Sequence, residues 1–432
     1  MSEATHPLRI GNFRAYVISR FAKMLAQYAM LLIIGWQTYN LARDGGMGVA
    51  EASGQLALIG LLQFLPLFVL TPFTGLAADV FDRRNLARLT LFGQIACAAV
   101  LAVATWQDAI TLPLLFAIAV VLGVVRAFAG PAYSALAPNL VPPAILPQAI
   151  ALSSIAWQTG MIVGPALGGY LYVVDPALPY AVASALYVVA LIGVSTIRNL
   201  PPRKASSRKN SLKQIRDGLS YVRRNRMVLS TITLDLFAVF LAGATALFPV
   251  FARDILEVGA RGLSQLAMAP AVGASVTAIW FSFRPLKNNV GPAMLIAVAM
   301  FGFATIGFAF SKSMTLSLAL LFVVGAADMF SVYIRQSLIQ LHTPDEKRGR
   351  VSAVSQLTIS ASNEFGDFFS GSLAFLVGPV AAVALGGVGA VLTVGLWAVL
   401  FPVLRNTRTF DPPEELLDTN TSSHHEPAKE GA

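Results

Sequence analysis

GMIVGPALGG (residues 160–169) lies in the middle of a long apolar segment of a 432-residue chain. Its small residues recur four positions apart, a spacing that lets two helix backbones approach closely in lipid, where packing drives helix association. Proline in a membrane helix is tolerated only where neighbouring groups satisfy the freed carbonyl. The stretch therefore predicts a tight, slightly distorted seam between two membrane helices. We assign to this seam Gly160, Gly164, Pro165, Gly168 and Gly169.

The composition of the whole chain is that of a membrane protein. Hydrophobic residues make up 56% and charged residues 12%, whereas about a quarter of the residues of soluble domains are charged. Since about twenty apolar residues cross a bilayer, tiling the chain gives twelve candidate spans. The first apolar segment is full length and leads directly into more spans, so we interpret it as an uncleaved first helix and not as a signal peptide.

The net charge of +9 is explained by topology. If the spans alternate, the large basic cluster between spans six and seven lies on the same side as the smaller ones around Arg83 and Arg348. The positive-inside rule then places both termini in the cytoplasm. The basic loop meets anionic headgroups, and we exclude nucleic acid as a partner.

The chain divides at the basic linker into two halves that repeat with an offset of 202 residues, as in Gly123 and Gly325 or Gly169 and Gly371. Parallel repeats of this kind place a substrate site near the membrane midplane, between the halves. The predicted organisation is a cytoplasmic N-terminus (1–14), a first six-helix half (15–197), the linker (198–226), a second six-helix half (227–404) and a polar, disordered tail (405–432).

The two copies differ where charges are concerned. Arg126 corresponds to Asp328, and Pro165 corresponds to Asp367. The first half keeps the helix-packing seam, and the second half acquires carboxylates instead.

The loop GLAADVFDRR (residues 75–84) resembles the loop signature G-x-x-x-D-R-x-G-R-R of the major facilitator superfamily. A short acid there suits a gate, because it sits against the positive N-terminal end of a neighbouring helix. An ordinary charged turn is the alternative. Val80 replaces the usual basic residue of the signature, and Asp82 replaces its second glycine. The gating residues that the resemblance assigns are Gly75, Asp79, Asp82, Arg83 and Arg84.

Further segments carry the same resemblance. Residues 160–169 are similar to the antiporter motif on helix five of exporters in this superfamily, and residues 126–130 resemble its R-x-x-x-G motif on helix four. Residues 35–39 and 344–353 look like the enterobactin-exporter-like (transmembrane secretion effector) group. The resemblance runs from about residue 12 to 405. It implies the major facilitator fold, an all-α membrane protein of twelve transmembrane helices in two pseudo-symmetric six-helix halves. It also implies export of a small molecule coupled to proton entry.

Ionisable residues inside spans are functional candidates, because placing them in a bilayer is costly. Glu364 and Asp367 are three residues apart and share a helical face, so that one of the two carboxyls is expected to hold a proton near neutral pH. Asp328 and Arg335, seven apart, form a possible internal ion pair. Asp235 is the alternative proton site. Each acid has a purely structural role as its alternative.

Arg126, which the resemblance links to proton coupling or substrate charge, is expected to face the central cavity. Arg20 and Lys23 are expected to snorkel to the interface. Deeper polar residues are expected to line the cavity or to join helices: Gln27, Tyr28, Gln158 and Asn363.

These features predict a proton-coupled secondary active exporter of a siderophore, metabolite or drug. A lipid or lysophospholipid flippase and a nutrient importer of the same fold are alternatives, and a non-transporting receptor is a weaker one. No catalytic signature is present, so we expect no enzyme. The single cysteine and four histidines have no metal-ligand spacing, and we expect no metal and no cofactor. The expected partners are the substrate, protons and the lipid bilayer of the bacterial inner membrane, with the protein a monomer.

Overall fold

The computed structural model describes residues 6–80, 82–136, 139–198 and 211–411. Within helices, the side chains of residues 71–73, 75–80, 135, 143, 211–215, 345–346, 360 and 364 are not described. Every regular element in the described ranges is helical. The predicted disordered tail lies outside the described residues from position 412 onward.

Six long helices form the first half. They are α1 (Gly11–Asp44), α2 (Val49–Val80), α3 (Arg83–Trp106), α4 (Leu112–Leu136), α5 (Leu146–Val174) and α6 (Leu178–Thr196). An amphipathic linker helix, α7 (Ser211–Arg224), follows.

The second half repeats the plan with one interruption. Its first span consists of α8 (Arg226–Leu241), a break, the short α9 (Phe248–Val250) and a π-helical turn (Phe251–Ile255). The remaining helices are α10 (Gly259–Phe283), α11 (Val290–Phe310), α12 (Met314–Leu341), α13 (Asp345–Val377), α14 (Pro379–Leu400) and the short α15 (Pro402–Asn406).

Eleven helical segments in the described ranges are long and apolar enough to cross a membrane. The twelfth long helix is α13, which has 33 residues but carries many polar side chains along its length. The all-α fold of two six-helix halves predicted from the sequence is confirmed.

Glycines related by the 202-residue offset make equivalent contacts. A Cβ on Gly123 of α4 would meet the backbone carbonyl of Gln63 in α2, and a Cβ on Gly325 of α12 would meet that of Pro270 in α10. Only a residue without a side chain allows backbones to approach this closely. The repeat in the sequence is therefore a repeat in helix packing.

Two other equivalent glycines join one half to the other. A Cβ on Gly169 of α5 would meet Ser264 of α10, and a Cβ on Gly371 of α13 would lie 2.8 Å from the Cβ of Ala57 in α2. Each half thus offers its own fifth helix to the second helix of the other half.

The bundle has two distinct ends. The basic face carries the N-terminus and the connections after α2, α4, α6, α10 and α12. The opposite end carries the other connections, and we call it the closed face because side chains of the two halves contact each other there. The seams of Gly169 and Gly371 lie in the part of the bundle nearer the closed face. There α1 of the first half also packs against the end of the interrupted span of the second half.

Candidate functional site

Lys23 is a buried lysine in α1. Its side chain is 3% exposed, and its Nζ lies 4.8 Å from the ring centroid of Tyr133 in α4. The expectation that Lys23 snorkels is wrong, because α4 covers this face of α1. One turn earlier, Arg20 donates a hydrogen bond of 2.9 Å to the hydroxyl of Tyr16.

Arg126 of α4 lies deeper in the same half. Its Nη1 donates to Oε1 of Gln63 in α2 at 3.3 Å. The two side chains line a cavity of about 20 Å³ together with Gln27 of α1. This volume is sufficient for roughly one water molecule.

Gln94 of α3 and Tyr187 of α6 line the same cavity, although neither was predicted from the sequence. Gln94 is 1% exposed, and neither its Oε1 nor its Nε2 has a hydrogen-bond partner in the structure. A single amide in an otherwise apolar stretch of α3 is the signal that could have found it.

The buried ion pair of the second half joins Arg335 of α12 to Asp235 of α8, with side chains 3% and 6% exposed. The sequence suggested Asp328 as a possible partner of Arg335. In the structure Arg335 pairs with Asp235 instead. Seven residues along one helix are separated by about 10 Å of rise, so a partner on a neighbouring helix reaches the guanidinium more easily.

Asp367 of α13 lies at the break in the seventh span. It is half-buried, and its Oδ1 accepts a hydrogen bond of 2.7 Å from Oγ1 of Thr245, which begins the 3₁₀ turn after α8. Asn363, one turn earlier, is exposed. The side chain of Glu364 lies outside the described residues.

The seam on α5 has two sides. Gly160, Gly164 and Gly168 face α1, where a Cβ on Gly164 would lie 2.7 Å from the Cβ of Tyr28 and one on Gly168 would lie 2.9 Å from a backbone oxygen. Pro165 is buried beside them. This close approach agrees with the spacing in the sequence, and the role of the seam in coupling stays a prediction.

Gln158 lies on α5 between the two halves. Its Nε2 is 3.5 Å from Oγ of Ser275 in α10. Phe365 of α13 packs edge-on against Phe64 of α2, with ring centroids 4.5 Å apart. Both contacts place polar and aromatic groups where the halves meet.

At the basic face, Asp82 caps α3 by accepting from the backbone N–H groups of Arg84 and Asn85 at 2.8 and 3.2 Å. Arg84 in turn donates to the carbonyl of Ile197 at 2.8 Å. Arg83, beside it, is half-buried. Gly75 lies within α2. The side chain of Asp79 lies outside the described residues, so the predicted gate contact of Asp79 stays a prediction.

The linker helix α7 packs against the entrance to α13. Asp217 pairs with Arg350 at 3.5 Å, and a Cβ on Gly218 would lie 2.8 Å from the carbonyl oxygen of Arg350. Nearby, the hydroxyl of Tyr221 donates to the carbonyl of His342 at 2.8 Å. Burial lowers the pKa of His342 below its ordinary value, although its contact with the carbonyl of Leu338 opposes this.

A model of the transmembrane secretion effector family matches residues 2–427. The chain belongs to this family. It is 26% identical to the enterobactin exporter EntS of Citrobacter koseri over 287 residues, which are 66% of this chain and 67% of the relative. It is also 26% identical to the multidrug efflux pump Tap of Mycolicibacterium fortuitum over 365 residues, 81% of this chain and 87% of the relative.

Solved structures similar to this secretion effector family member are major facilitator transporters. A bacterial homologue of the human lysosomal transporter Spinster, inward-facing and occupied, is 16% identical with a TM-score of 0.66 and covers 93% of this chain and 97% of its own. The D-xylose–proton symporter is 12% identical with a TM-score of 0.67, covering 88% and 96%. The chain is therefore an integral membrane transporter of small molecules and not an enzyme.

The secretion effector family member also has a polar network that the sequence analysis did not predict, at the closed face. Tyr39 of α1 donates its hydroxyl proton to Asp254 in the π-helical turn. Arg43 approaches the same carboxylate through Nη2 and Nε, each at 3.3 Å. We call these three residues the closed-face latch, because they join α1 of the first half to the second half.

An outer pair lies beside the latch. Arg253 contacts Asp44 at 2.6 Å and the side-chain oxygen of Asn40 at 2.5 Å. The Asp44 side chain is 66% exposed, whereas Arg43 and Asp254 are 27% and 21% exposed. Water therefore weakens the outer pair more than it weakens the latch.

Proposed function

We propose that this protein is a proton-coupled secondary active exporter of a small molecule that works by alternating access. It acts as a monomer in the bacterial inner membrane with both termini in the cytoplasm. The direction of transport is supported by two of its relatives, an enterobactin exporter and a multidrug efflux pump. Membership in the transmembrane secretion effector family supports a small molecule as the substrate.

The observation that carries the proposal is Asp367. It is a half-buried carboxylate inside a long helix, and it is bonded at 2.7 Å to Thr245, where the seventh span is broken. Irregular backbone at membrane depth is tolerated where it is buried in protein or lines a water-filled cavity. A carboxyl group at such a break has the access to water that proton uptake and release need.

Alternating access requires an interface that opens at one end and closes at the other. The closed-face latch and the seams of Gly169 and Gly371 supply contacts between the halves that this motion must break. In the proposed cycle Asp367, together with Glu364, takes up a proton in one state and releases it in the other. Substrate and protons then compete for one polar region, as exchange requires.

Transport into inverted vesicles under an imposed pH gradient tests the proposal, with a panel of siderophores, dyes and lysolipids as substrates. We expect Asp367→Asn and Glu364→Gln to abolish pH-driven accumulation while sparing substrate exchange at equilibrium. Asp108→Asn is the matched control, because Asp108 is exposed in a loop with a φ of 52° that asparagine tolerates.

Two results would contradict the proposal. Accumulation that ignores the pH gradient in the wild type would exclude proton antiport and leave a uniporter or flippase. Accumulation by the double variant, driven by protons alone, would exclude the two carboxyls as the proton site.

A further inference from the structure

A second cavity, of about 530 Å³, lies at the basic face, where the linker helix α7 joins the second half. Its walls come from the junction of α7 with α8, from His342 at the end of α12 and from Val403 in α15. Since α8 begins a membrane span here and α12 ends one, the cavity lies at the membrane surface. Its volume is within the range of about 300–1,000 Å³ that is typical of small-molecule sites. We call it the elbow cavity.

A single residue, Asn225, separates α7 from α8. Its backbone is extended, and its Oδ1 accepts hydrogen bonds from the N–H groups of Met227 and Val228, each at 3.1 Å. Its Nδ2 donates to the hydroxyl of Tyr221 at 3.2 Å and to the carbonyl of His342 at 3.3 Å. These bonds fix the angle between α7 and α8 and tie the junction to the end of α12.

Two arginines flank this junction, and both line the cavity. Arg224 is the last residue of α7, and Arg226 is the first residue of α8. Both are exposed, and neither guanidinium has an ion-pair or hydrogen-bond partner among the described residues. No described lining residue is acidic. Burial lowers the pKa of His342, so the positive charge of the cavity comes from the two arginines.

Two further features add to the positive potential at this place. The Nζ of Lys347, near the start of α13, lies 5.1 Å from the ring centroid of Tyr221. The positive N-terminal end of α8 also faces the cavity, because its first two residues line it. Arginine guanidinium groups bind phosphate oxygens through paired, charge-assisted hydrogen bonds. The polar side of the cavity is therefore suited to a phosphate group.

The other side of the cavity borders apolar surface. Val403 lines the cavity and is 44% exposed. Leu341, directly before His342, is 43% exposed, and Leu400, at the end of α14, is 56% exposed. In a membrane, exposed apolar side chains at the end of a span lie against acyl chains. A molecule that places a phosphate at the arginines and hydrocarbon along these residues satisfies both sides, whereas a free phosphate satisfies only one.

We propose that the elbow cavity binds the phosphate headgroup of an anionic phospholipid such as phosphatidylglycerol. Basic pockets between membrane helices on the cytoplasmic side recognise such headgroups. This site differs from a diffuse attraction of the basic linker to the membrane, because two arginines on a fixed junction take one lipid in one place. The cavity is built by the linker helix and the second half alone, so binding does not depend on which end of the bundle is open or on what drives transport.

Native mass spectrometry of the purified full-length protein measures lipid binding directly. The probes are dioctanoyl phosphatidylglycerol and dioctanoyl phosphatidylcholine, which share their acyl chains and a phosphate but differ in net charge. We expect one tightly bound phosphatidylglycerol per protein. Its binding should be at least about tenfold tighter than that of phosphatidylcholine, because each cation at the membrane surface favours an anionic lipid about fivefold.

A double variant, Arg224→Gln with Arg226→Gln, should weaken phosphatidylglycerol binding about 30-fold, since each arginine contributes about fivefold. Arg223→Gln with Lys287→Gln is the matched control. Arg223 and Lys287 are exposed cations at the same face that do not line the cavity, so the control removes as much charge and should leave binding unchanged. Both double variants should melt like the wild type in the absence of lipid, because all four side chains are exposed.

Three results would overturn the inference. Equal binding of the two lipids by the wild type would exclude recognition of charge. Phosphatidylglycerol binding by the Arg224 and Arg226 double variant at the wild-type level would exclude the elbow cavity. An equal loss in the control variant would show a general attraction to the basic face.

Glycerol 3-phosphate tests a soluble source of the phosphate. At equal concentration it should leave phosphatidylglycerol bound, because it has no acyl chains to lie along the apolar side of the cavity. Displacement of the lipid under these conditions would overturn the assignment to a phospholipid in favour of a soluble organic phosphate.

Discussion

The closed-face latch provides the most direct test of how the two halves separate. Asp254→Asn removes the charge that Arg43 contacts twice at 3.3 Å and weakens the acceptor of the Tyr39 hydroxyl. Hydrogen bonds to charged groups contribute about 1.5–3 kcal/mol when well formed. These two contacts with Arg43 are long and partly exposed, so we assign about 1 kcal/mol to each, or about 2 kcal/mol in total. That loss shifts the balance between closed and open states of this face about 30-fold.

Electron–electron distance measurements report this balance. Spin labels at Gln107 and Lys312 sit on opposite halves at the closed face, both at exposed positions, in a Cys97→Ser background that removes the single native cysteine. Asp254→Asn should add a population with longer distances.

The outer pair is the matched control. Asp44→Asn breaks a shorter contact of 2.6 Å, but the Asp44 side chain is 66% exposed, and exposed ion pairs contribute about 0–1 kcal/mol. It should shift the distances by much less than Asp254→Asn. Identical distance distributions for the wild type and Asp254→Asn, in folded protein, would refute the latch.

Three further variants test packing, charge and protonation, each by thermal unfolding in detergent. Gly164→Leu should lower the free energy of unfolding by about 2 kcal/mol or more, because the new side chain forces α1 and α5 apart. Gly395→Leu is the control and should not lower it, because a Cβ at this position would have no atom within 4 Å. Equal melting temperatures for the two variants would contradict the seam. Asp235→Asn should lower the free energy of unfolding by about 3–5 kcal/mol, because it leaves the buried guanidinium of Arg335 unpaired. Adding Arg335→Gln should recover part of this loss. An Asp235→Asn variant as stable as the wild type would show that the ion pair is not needed. The pKa of His342 is lowered by burial, so below about pH 6.5 the unfolded chain binds more protons than the folded protein, and stability should fall as the pH drops through that range. His342→Gln should reduce this pH dependence of stability. The same pH profile in the wild type and in His342→Gln would refute the role of His342.

The fold was accessible from the sequence because it depends on local pattern. The spacing of Gly160, Gly164 and Gly168 predicts a close helix contact, and the offset between Gly123 and Gly325 predicts two similar halves. Both predictions can be made without knowing which helix is the packing partner. Glycine has no side chain to turn one way or another, so its role survives without three-dimensional information.

The polar site was less predictable because it depends on which helix covers which face. Lys23 is near the end of its span in the sequence, yet α4 buries it against Tyr133. Arg335 has an acid two turns away on its own helix, yet it pairs with Asp235 of α8. Gln94 is one amide in an apolar helix, and its significance appears only when four other helices bring their polar side chains to the same cavity.

The exchanged seams of Gly169 and Gly371 have a consequence for how such a chain is assembled. Each half gives its fifth helix and receives the fifth helix of the other, which is the arrangement of an isologous dimer, where the same surface is used twice. The covalent linker between α6 and α8 is then a tether that raises the effective concentration of two complementary pieces. Six-helix fragments that end and begin within residues 199–210 contain the described contacts of both seams and should associate in one membrane as separate polypeptides.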